Sequence, residues 1–320
     1  MYAALISIAG AIFATTENQS MLIVAAFIGT INVTGSETGA FLSIEQAILP
    51  QTVKNPKKRN TIFAIYNMLG TFAMSAGVLL SGLPSILQQQ SSAFDQIVSM
   101  KILFILYSLM GIIIGIYLQL SNRIEVEGKI SRPLTQTLSS RSKKIIDKLS
   151  GLFAIDSFAG GFVIQSIVSF WFFIKFGADL ITLSYIFSIA GVFTAFSFII
   201  AAKIADKIGL INTMVFTHIP SNILILLVAF APSLPIAIAF YLARMALSQM
   251  DVPIRQSYIV VVVREEERTA AAGITNTTRN IAQTISPSLT GSIINAFSLS
   301  APFVIGIVKN SIRHKLVYKF

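Results

Sequence analysis

The feature that most constrains this chain is a succession of apolar runs, each long enough to cross a bilayer, divided by short polar turns. A helix rises 1.5 Å per residue, so about 20 mostly apolar residues span a hydrocarbon core roughly 30 Å thick. Such runs occupy Tyr2–Thr15 (short), Met21–Leu49, Thr61–Leu83, Ile102–Leu120, Leu152–Phe176, Leu180–Ala202, Met214–Phe230, Leu234–Val263 and Ala270–Phe297, and a stub follows at Pro302–Val308. The longer runs require tilted or projecting helices. Membrane β-strands would alternate apolar and polar residues over about 10 positions, and these runs do not. Hydrophobic residues make up 54% of the chain and charged ones 12%, with mean hydropathy +0.75. A soluble globule carries about 25% charged residues to wet its surface. A soluble enzyme and a disordered chain are therefore excluded, and an all-α polytopic membrane protein is expected. With no cysteine, the chain has no disulfide, zinc–thiolate or iron–sulfur chemistry.

A net charge of +10 raises the question of nucleic acid. The basic residues, however, cluster between apolar runs without the aromatic interleaving of a nucleic-acid groove, so no nucleic-acid partner is expected. Segments 51–60, 121–150, 203–211 and 264–268 hold fifteen Lys and Arg, whereas the alternate loops hold two, Lys101 and Lys175. The positive-inside rule makes the basic loops cytoplasmic, together with the N-terminus of this chain. The expected location is the cell membrane, as a multi-pass protein. Segment 121–150 is the longest polar stretch and reads as a cytoplasmic linker, with a surface helix at Arg141–Leu149.

The chain also repeats itself. A shift of 209 residues lays Arg59-Asn60-Thr61 on Arg268-Thr269-Ala270, Asn67 on Asn276 and Gly82 on Gly291. It also lays Met21–Leu49 on Phe230–Tyr258 and Tyr2–Thr15 on Ile211–Leu224. Matching spans and loop sides make a parallel two-fold repeat, a common plan among transporters. The expected organisation is the remainder of an N-terminal bundle over 1–120 (four helices), a linker over 121–150 and a C-terminal bundle over 151–320 (five helices plus a stub). Under the repeat, two helices before Met1 and most of a last helix would complete a twelve-helix plan. The chain is thus expected to be a piece truncated at both ends.

At the turn after Leu180–Ala202 stands Ala202-Lys203-Ile204-Ala205-Asp206-Lys207-Ile208-Gly209. It is similar to the signature turn of the major facilitator superfamily, Gly-x-x-x-Asp-Arg/Lys-x-Gly. Asp206, Lys207 and Gly209 match, Ala202 replaces the first glycine, and Leu210 and Ile211 replace the trailing basic residues. Arg268–Gly273 with Asn276, Arg279, Pro287 and Gly291 resembles the superfamily's eleventh helix, and Arg244 with Met250–Gln256 its tenth. The antiporter motif of the fifth helix is degraded, since Val78 stands where proline would in Gly77–Gly82. The resemblance covers helices three to eleven plus a stub of twelve. It implies two pseudo-symmetric helix bundles of the major facilitator type, incomplete here, and transport by alternating access.

Charges within the membrane cost about 2.5–3.5 kcal/mol each on insertion scales, so each needs a partner or a wet cavity. Arg279 lies ten residues beyond Thr269, ~15 Å deep. Glu37 lies sixteen residues past Met21, ~24 Å from the other side, with Arg244 at a similar level. For Glu37 the readings are a proton carrier or a fixed ion pair with Arg244, Arg279 or a residue outside this chain. For Arg244 and Arg279 they are anionic-substrate binding or that same pairing. Asn276, with its equivalent Asn67, is expected to bond between helices. Glu45, Asp156, Asp251 and Arg255 are expected near cytoplasmic ends as inner-gate ion pairs bracing the Asp206-Lys207 turn. Asp251 and Arg255, four apart, share a helix face. His218 is expected to pack. Gly35, Gly39, Gly70, Gly77, Gly160, Gly161 and Gly191 are expected to let cavity helices approach closely.

The chain contains no Gly-x-x-x-x-Gly-Lys-Ser/Thr loop, no His-Glu-x-x-His spacing and no Gly-x-Ser-x-Gly elbow. ATP, a metal and a hydrolytic nucleophile are not expected, nor is any cofactor. The expected function is a secondary active transporter, not an enzyme. It would move a small solute with protons as the coupling ion, efflux being one direction, and act as a monomer in the lipid bilayer. Arg244 and Arg279 favour an anionic or amphipathic solute, and the aromatic run Phe158–Phe173 an apolar one. The alternatives are a truncated, non-transporting fragment, an intramembrane enzyme or a channel.

Overall fold

A computed structural model describes residues 2–29, 40–52, 58–90, 95–120 and 138–306. The helices are α1 (Tyr2–Thr15), α2 (Gln19–Ile28), α3 (Ala40–Ile48), α4 (Arg59–Leu80), α5 (Leu83–Gln90), α6 (Gln96–Leu120) and α7 (Ser140–Gly160). They continue with α8 (Gln165–Phe176), α9 (Leu180–Ile208), α10 (Leu210–Ala229), α11 (Leu234–Ser248), α12 (Asp251–Val262) and α13 (Arg268–Ala296). Residues 301–306 are helical as well, and no strand occurs among the described residues. Five helical segments there are long and apolar enough to cross a membrane: Arg59–Gln90, Gln96–Tyr117, Ser140–Phe176, Leu180–Ile208 and Leu210–Ala229. In lipid a helix satisfies its own backbone polar groups, which is why apolar runs of this length take that form.

Two runs that read as single spans are interrupted. Leu234–Val263 breaks at Gln249 and Met250 into α11 and α12. Pro253 is the cause: it lacks the N–H that would bond the Gln249 carbonyl, so it is tolerated only in the first turn of a new helix. The Leu152–Phe176 run breaks at a 3-10 turn, Gly161–Val163, between α7 and α8. Of the run Met21–Leu49 the structure describes α2 and α3, with 30–39 outside the described residues. In the other direction, the expected surface helix at Arg141–Leu149 runs without interruption into the next span as α7, started by Ser139, whose hydroxyl accepts from the Ser142 N–H.

The chain divides into two compact units. The first comprises Met1–Gly39, Gly77–Leu134 and Leu180–Tyr185. Its centre is the crossing of α1 and α6. A Cβ on Gly10 would stand 2.8 Å from Ser108 N, and one on Gly111 2.8 Å from Ser7 N, so the two backbones touch. Without a hydrophobic drive between helices in lipid, such close van der Waals approach is what holds them. The Ser108 hydroxyl adds a bond to the Ser7 carbonyl at 2.8 Å, and Phe13 stacks on Phe104 at 4.6 Å. The far side of α6 exposes Ile105, Leu109, Ile112 and Ile116, a stripe suited to acyl chains rather than water. Lys101 pairs with Glu17 at 2.7 Å, and the Asn18 side chain caps α2 by accepting from Ser20 N and Met21 N.

The second unit comprises Ala40–Ala76, Thr135–Asp179 and Ile186–Phe320, and it holds the candidate site. Its α4 packs on α9 through Ala64, Phe198 and Ala202, an edge-on contact of Phe72 with Phe196, and Ser75 lying against Gly191. Gly161 presses against α13 in the same way. A Cβ there would lie 2.8 Å from the Gln283 carbonyl oxygen, whereas Gly70, Gly77 and Gly160 have nothing within 4 Å. Of the glycines expected at close approaches, Gly161 and Gly191 serve that role, and Gly35 and Gly39 lie outside the described residues. Trp171, Phe172, Phe176 and Phe303 form an aromatic cluster on which Lys175 rests, 4.7 Å from the Trp171 ring, while its ammonium donates to the Ala229 carbonyl at 3.1 Å. Both basic residues of the sparse loops thus have partners, Lys101 in Glu17 and Lys175 in the end of α10.

Candidate functional site

The signature turn is a one-residue joint. Gly209 alone separates α9 from α10, with φ 88° and ψ 161°, a backbone conformation that is essentially glycine's. Asp206, one turn earlier and exposed, accepts from Asn60 Nδ2 at 2.8 Å. Asn60 sits in the first turn of α4, and its Oδ1 accepts from the Ser257 hydroxyl of α12 at 2.6 Å. One asparagine, using donor and acceptor together, therefore ties the opening of α4 to the end of α9 and to α12. Lys207 and Gly209 are exposed beside it.

Two turns deeper along α4, Asn67 Nδ2 donates to Gln256 Oε1 at 2.6 Å and to its own helix at Phe63 O. On the other side of the repeat, Asn276 Nδ2 of α13 donates to Ser43 Oγ at 3.3 Å and Gln46 Oε1 at 3.4 Å, both on α3. The Tyr66 hydroxyl donates to Glu45 Oε2, so half-buried Glu45 is bonded to a phenol. These contacts form one layer at the basic-loop end of the unit, made of amide, hydroxyl and carboxylate groups. The repeat-equivalent arginines Arg59 and Arg268 face each other's charge at the same end.

Asp156, Asp251 and Arg255 are the residues expected to brace the Asp206-Lys207 turn. Asp251 opens α12, ~16 Å of helix before its last residue, Val262, and Met250 and Ile254 beside it pack with Ala205 of α9 and Leu210 of α10, on either side of that turn. Asp156 lies eight residues, ~12 Å, beyond Lys148 on α7. Arg255 Nη1 donates to Asp251 Oδ2 at 2.9 Å as the expected i,i+4 pair, and its guanidinium also lies over the Phe153 ring at 5.5 Å. His218 Nε2 of α10 stands 3.4 Å from the same Asp251 oxygen. Half-buried Asp156 completes a group of three with buried His218 and Asp251, whose ligating atoms all lie within 4.8 Å of one another. The histidine's part had no signal in the sequence, because α7, α10 and α12 come together only in the fold.

Arg244 lies half-buried on α11, with Nη1 3.4 Å from Met245 Sδ and Nε without a hydrogen-bond partner among the described residues. Arg279 is half-buried on α13. Glu37 lies outside the described residues, as do 121–137 of the linker and the stub beyond 306.

Sequence reading also missed Glu267. It stands last in the run Glu265-Glu266-Glu267, and only the fold separates it from its exposed neighbours. Its Oε1 accepts from Ser139 N at 2.6 Å, and its Oε2 from the Ser142 hydroxyl at 2.6 Å and Arg264 N at 3.2 Å. The carboxylate thereby fastens the start of α7 to the start of α13. Burial alone would raise its pKa, but the hydrogen bonds from Ser142, Ser139 and Arg264 win and hold it at about 2.

The family model described as Major Facilitator Superfamily matches residues 1–287. Among curated proteins, the uncharacterized membrane protein YJR124C of Saccharomyces cerevisiae is 25% identical over 323 residues, covering 91% of this chain and 72% of its own. Among solved structures, the human organic anion transporter MFSD10 aligns with TM-score 0.70 at 14% identity, covering 99% of this chain and 75% of its own. The fucose:proton symporter FucP of E. coli aligns at 0.63 and 11%, covering 99% and 83%. A bacterial homologue of the iron transporter ferroportin, in an outward-facing state, aligns at 0.61 and 14%, covering 99% and 81%. At these identities the solved structures establish a shared fold.

Proposed function

Since this chain belongs to the Major Facilitator Superfamily, a family of membrane transporters and not of enzymes, we propose that it moves a small solute by alternating access, with protons as the coupling ion. It is a multi-pass membrane protein and a secondary transporter by family. The observation that carries the alternating-access reading is the polar layer at the basic-loop end. Asn60–Asp206, Asn60–Ser257, Asn67–Gln256 and Asn276–Ser43/Gln46 join helices of the two repeats through bonds between neutral side chains, or a neutral one and a carboxylate. A typical hydrogen bond contributes about 0.5–1.5 kcal/mol net, so such a layer can hold one arrangement and still release it. Asp206, Lys207 and Gly209 form the gating turn, and Glu45 with Tyr66 belongs to the same gate. Asp156, Asp251 and Arg255 are the inner-gate ion pairs that brace this turn.

The two bundles are residues 1–120 and 151–320, joined by the linker at 121–150, with the basic loops and the N-terminus of this chain on the cytoplasmic side of the cell membrane and the monomer as the working unit. Glu37 is the proposed proton carrier. Arg244 and Arg279 draw an anionic or amphipathic solute, Arg244 having a guanidinium nitrogen that no described residue satisfies. Asn276 lies near enough along α13 to sense the solute through its bond to α3. Efflux is the direction tested first.

The test is reconstitution of the chain in liposomes loaded with a pH-sensitive dye, with a panel of organic anions added to one side. The reading expects an anion-dependent proton flux that Glu37→Gln abolishes and Arg244→Ala weakens at least about tenfold. Anion movement with no accompanying proton, unaffected by Glu37→Gln, would overturn the coupling.

A further inference from the structure

We propose that Asp156, His218 and Asp251 form a binding site for one divalent transition-metal cation of the zinc, iron(II) or manganese(II) class, buried among α7, α10 and α12. The site is independent of the solute and of the proton coupling proposed above. Three lines of geometry carry it.

First, the donors converge from three separate helices. His218 and Asp251 are 8% and 3% exposed, yet one imidazole nitrogen and two carboxylates place their ligating atoms within 4.8 Å of one another. Placing three such groups together inside a membrane bundle is costly unless they share a function or a counter-charge. Second, the spacing suits coordination. Metal–nitrogen and metal–oxygen bonds of about 2.0–2.2 Å set neighbouring corners of a tetrahedron about 3.3–3.6 Å apart. His218 Nε2 and Asp251 Oδ2 are 3.4 Å apart. Third, Arg255 fixes Asp251 in place, donating to the same Oδ2 at 2.9 Å while its guanidinium rests on Phe153, so that Oδ1 is the oxygen without a described guanidinium contact. Ligating carboxylates are commonly held by such an outer partner, which fixes their orientation.

The donor set names the class. Imidazole disfavours sodium, calcium and magnesium, which take oxygen alone. The absence of sulfur donors disfavours copper(I). One nitrogen and two carboxylate oxygens suit zinc, iron(II) or manganese(II), with coordination positions left for water. Arg255 is a positioning residue rather than a ligand.

The experiment uses the full chain purified in detergent, stripped with chelator and titrated with Co²⁺, whose visible bands report nitrogen–oxygen coordination, and separately with Zn²⁺. The proposal expects about one equivalent bound, with a raised thermal midpoint. His218→Gln and Asp156→Asn should each weaken binding at least about tenfold, while Glu265→Gln, an exposed loop acid, leaves it unchanged. Two single variants on different helices keep the test alive if one folds poorly, and size-exclusion profiles report folding for each. The site is overturned if Co²⁺ gives no coordinated bands. It is equally overturned if His218→Gln and Asp156→Asn bind as the parent does, or if Na⁺ rather than the divalent ions raises the midpoint. A merely structural cluster would lower the midpoint in the variants without any dependence on metal.

Discussion

Asn67 and Asn276, equivalent under the 209-residue shift, make mirrored contacts: Asn67 on α4 donates to Gln256 on α12, and Asn276 on α13 donates to Ser43 and Gln46 on α3. Each half of the repeat thus holds a helix of the other half with the same residue type. Removing the Asn67 amide by Asn67→Ala should cost about 0.5–1.5 kcal/mol of the closed arrangement, a shift of roughly 2- to 10-fold in population. A double-mutant cycle with Gln256→Ala, read as thermal midpoints and as cross-linking efficiency, should recover a coupling of that size. Zero coupling would make the pair incidental.

The adjacent glycines at the α7 break give opposite expectations. Gly161→Ala drives a methyl to 2.8 Å from the Gln283 carbonyl oxygen and Ser286 Cβ, so α13 must move. Overpacking of this kind costs about 1–3 kcal/mol. Gly160→Ala meets nothing within 4 Å and should be neutral or stabilising by up to about 1 kcal/mol. Thermal midpoints of the two purified variants decide it, and equal effects would contradict the packing of α7 on α13.

Gly209→Ala puts a Cβ on a backbone at φ 88° with open space around it. The expected cost, about 1–3 kcal/mol, is conformational rather than steric. A lowered midpoint for Gly209→Ala, with the open-sided Gly273→Ala near the parent, would confirm a strained joint between α9 and α10.

Glu267 gives a pH dependence with a definite sign. Its folded pKa of about 2 lies below the ordinary glutamate value of 4.5, so its contribution is full above about pH 4.5 and is lost as pH falls toward 2. Glu267→Gln should therefore be less stable than the parent at neutral pH, and the gap should narrow on acidification. Paired melting curves in detergent from pH 7 to 3 measure this. A gap that is constant with pH would mean that the carboxylate charge contributes nothing to the joint between α7 and α13.

Much of the fold was legible because lipid allows so few solutions. Run length and apolarity forecast the helices, and the positions the repeat made equivalent, Arg59 and Arg268, are the first residues of α4 and α13, two residues before the runs read from Thr61 and Ala270. The turn at Gly209 was legible because one glycine between two helices must carry unusual dihedrals. Helix interruptions were harder. Pro253 marks the start of α12 only once a break is assumed, since Pro220 and Pro287 sit inside α10 and α13 without dividing them. Side-chain partners were hardest, as depth counted along one helix says nothing of rotation. Asp251 was expected at the gating turn from its depth and its shared face with Arg255, and only the fold shows His218 beside it. Glu267 was hidden because three consecutive glutamates have the same sequence signal and only one faces inward.

Alternating access at the basic-loop end is the central claim, and distance measurement tests it most directly. The chain has no cysteine, so spin labels can be placed at Lys58→Cys and Lys203→Cys, on exposed positions near the linked ends of α4 and α9. Pulsed electron–electron resonance in lipid nanodiscs should give two distances, with Asn67→Ala moving population toward the longer one by about 2- to 10-fold. A single narrow distance, unchanged by Asn67→Ala or by Asn60→Ala, would contradict the gate.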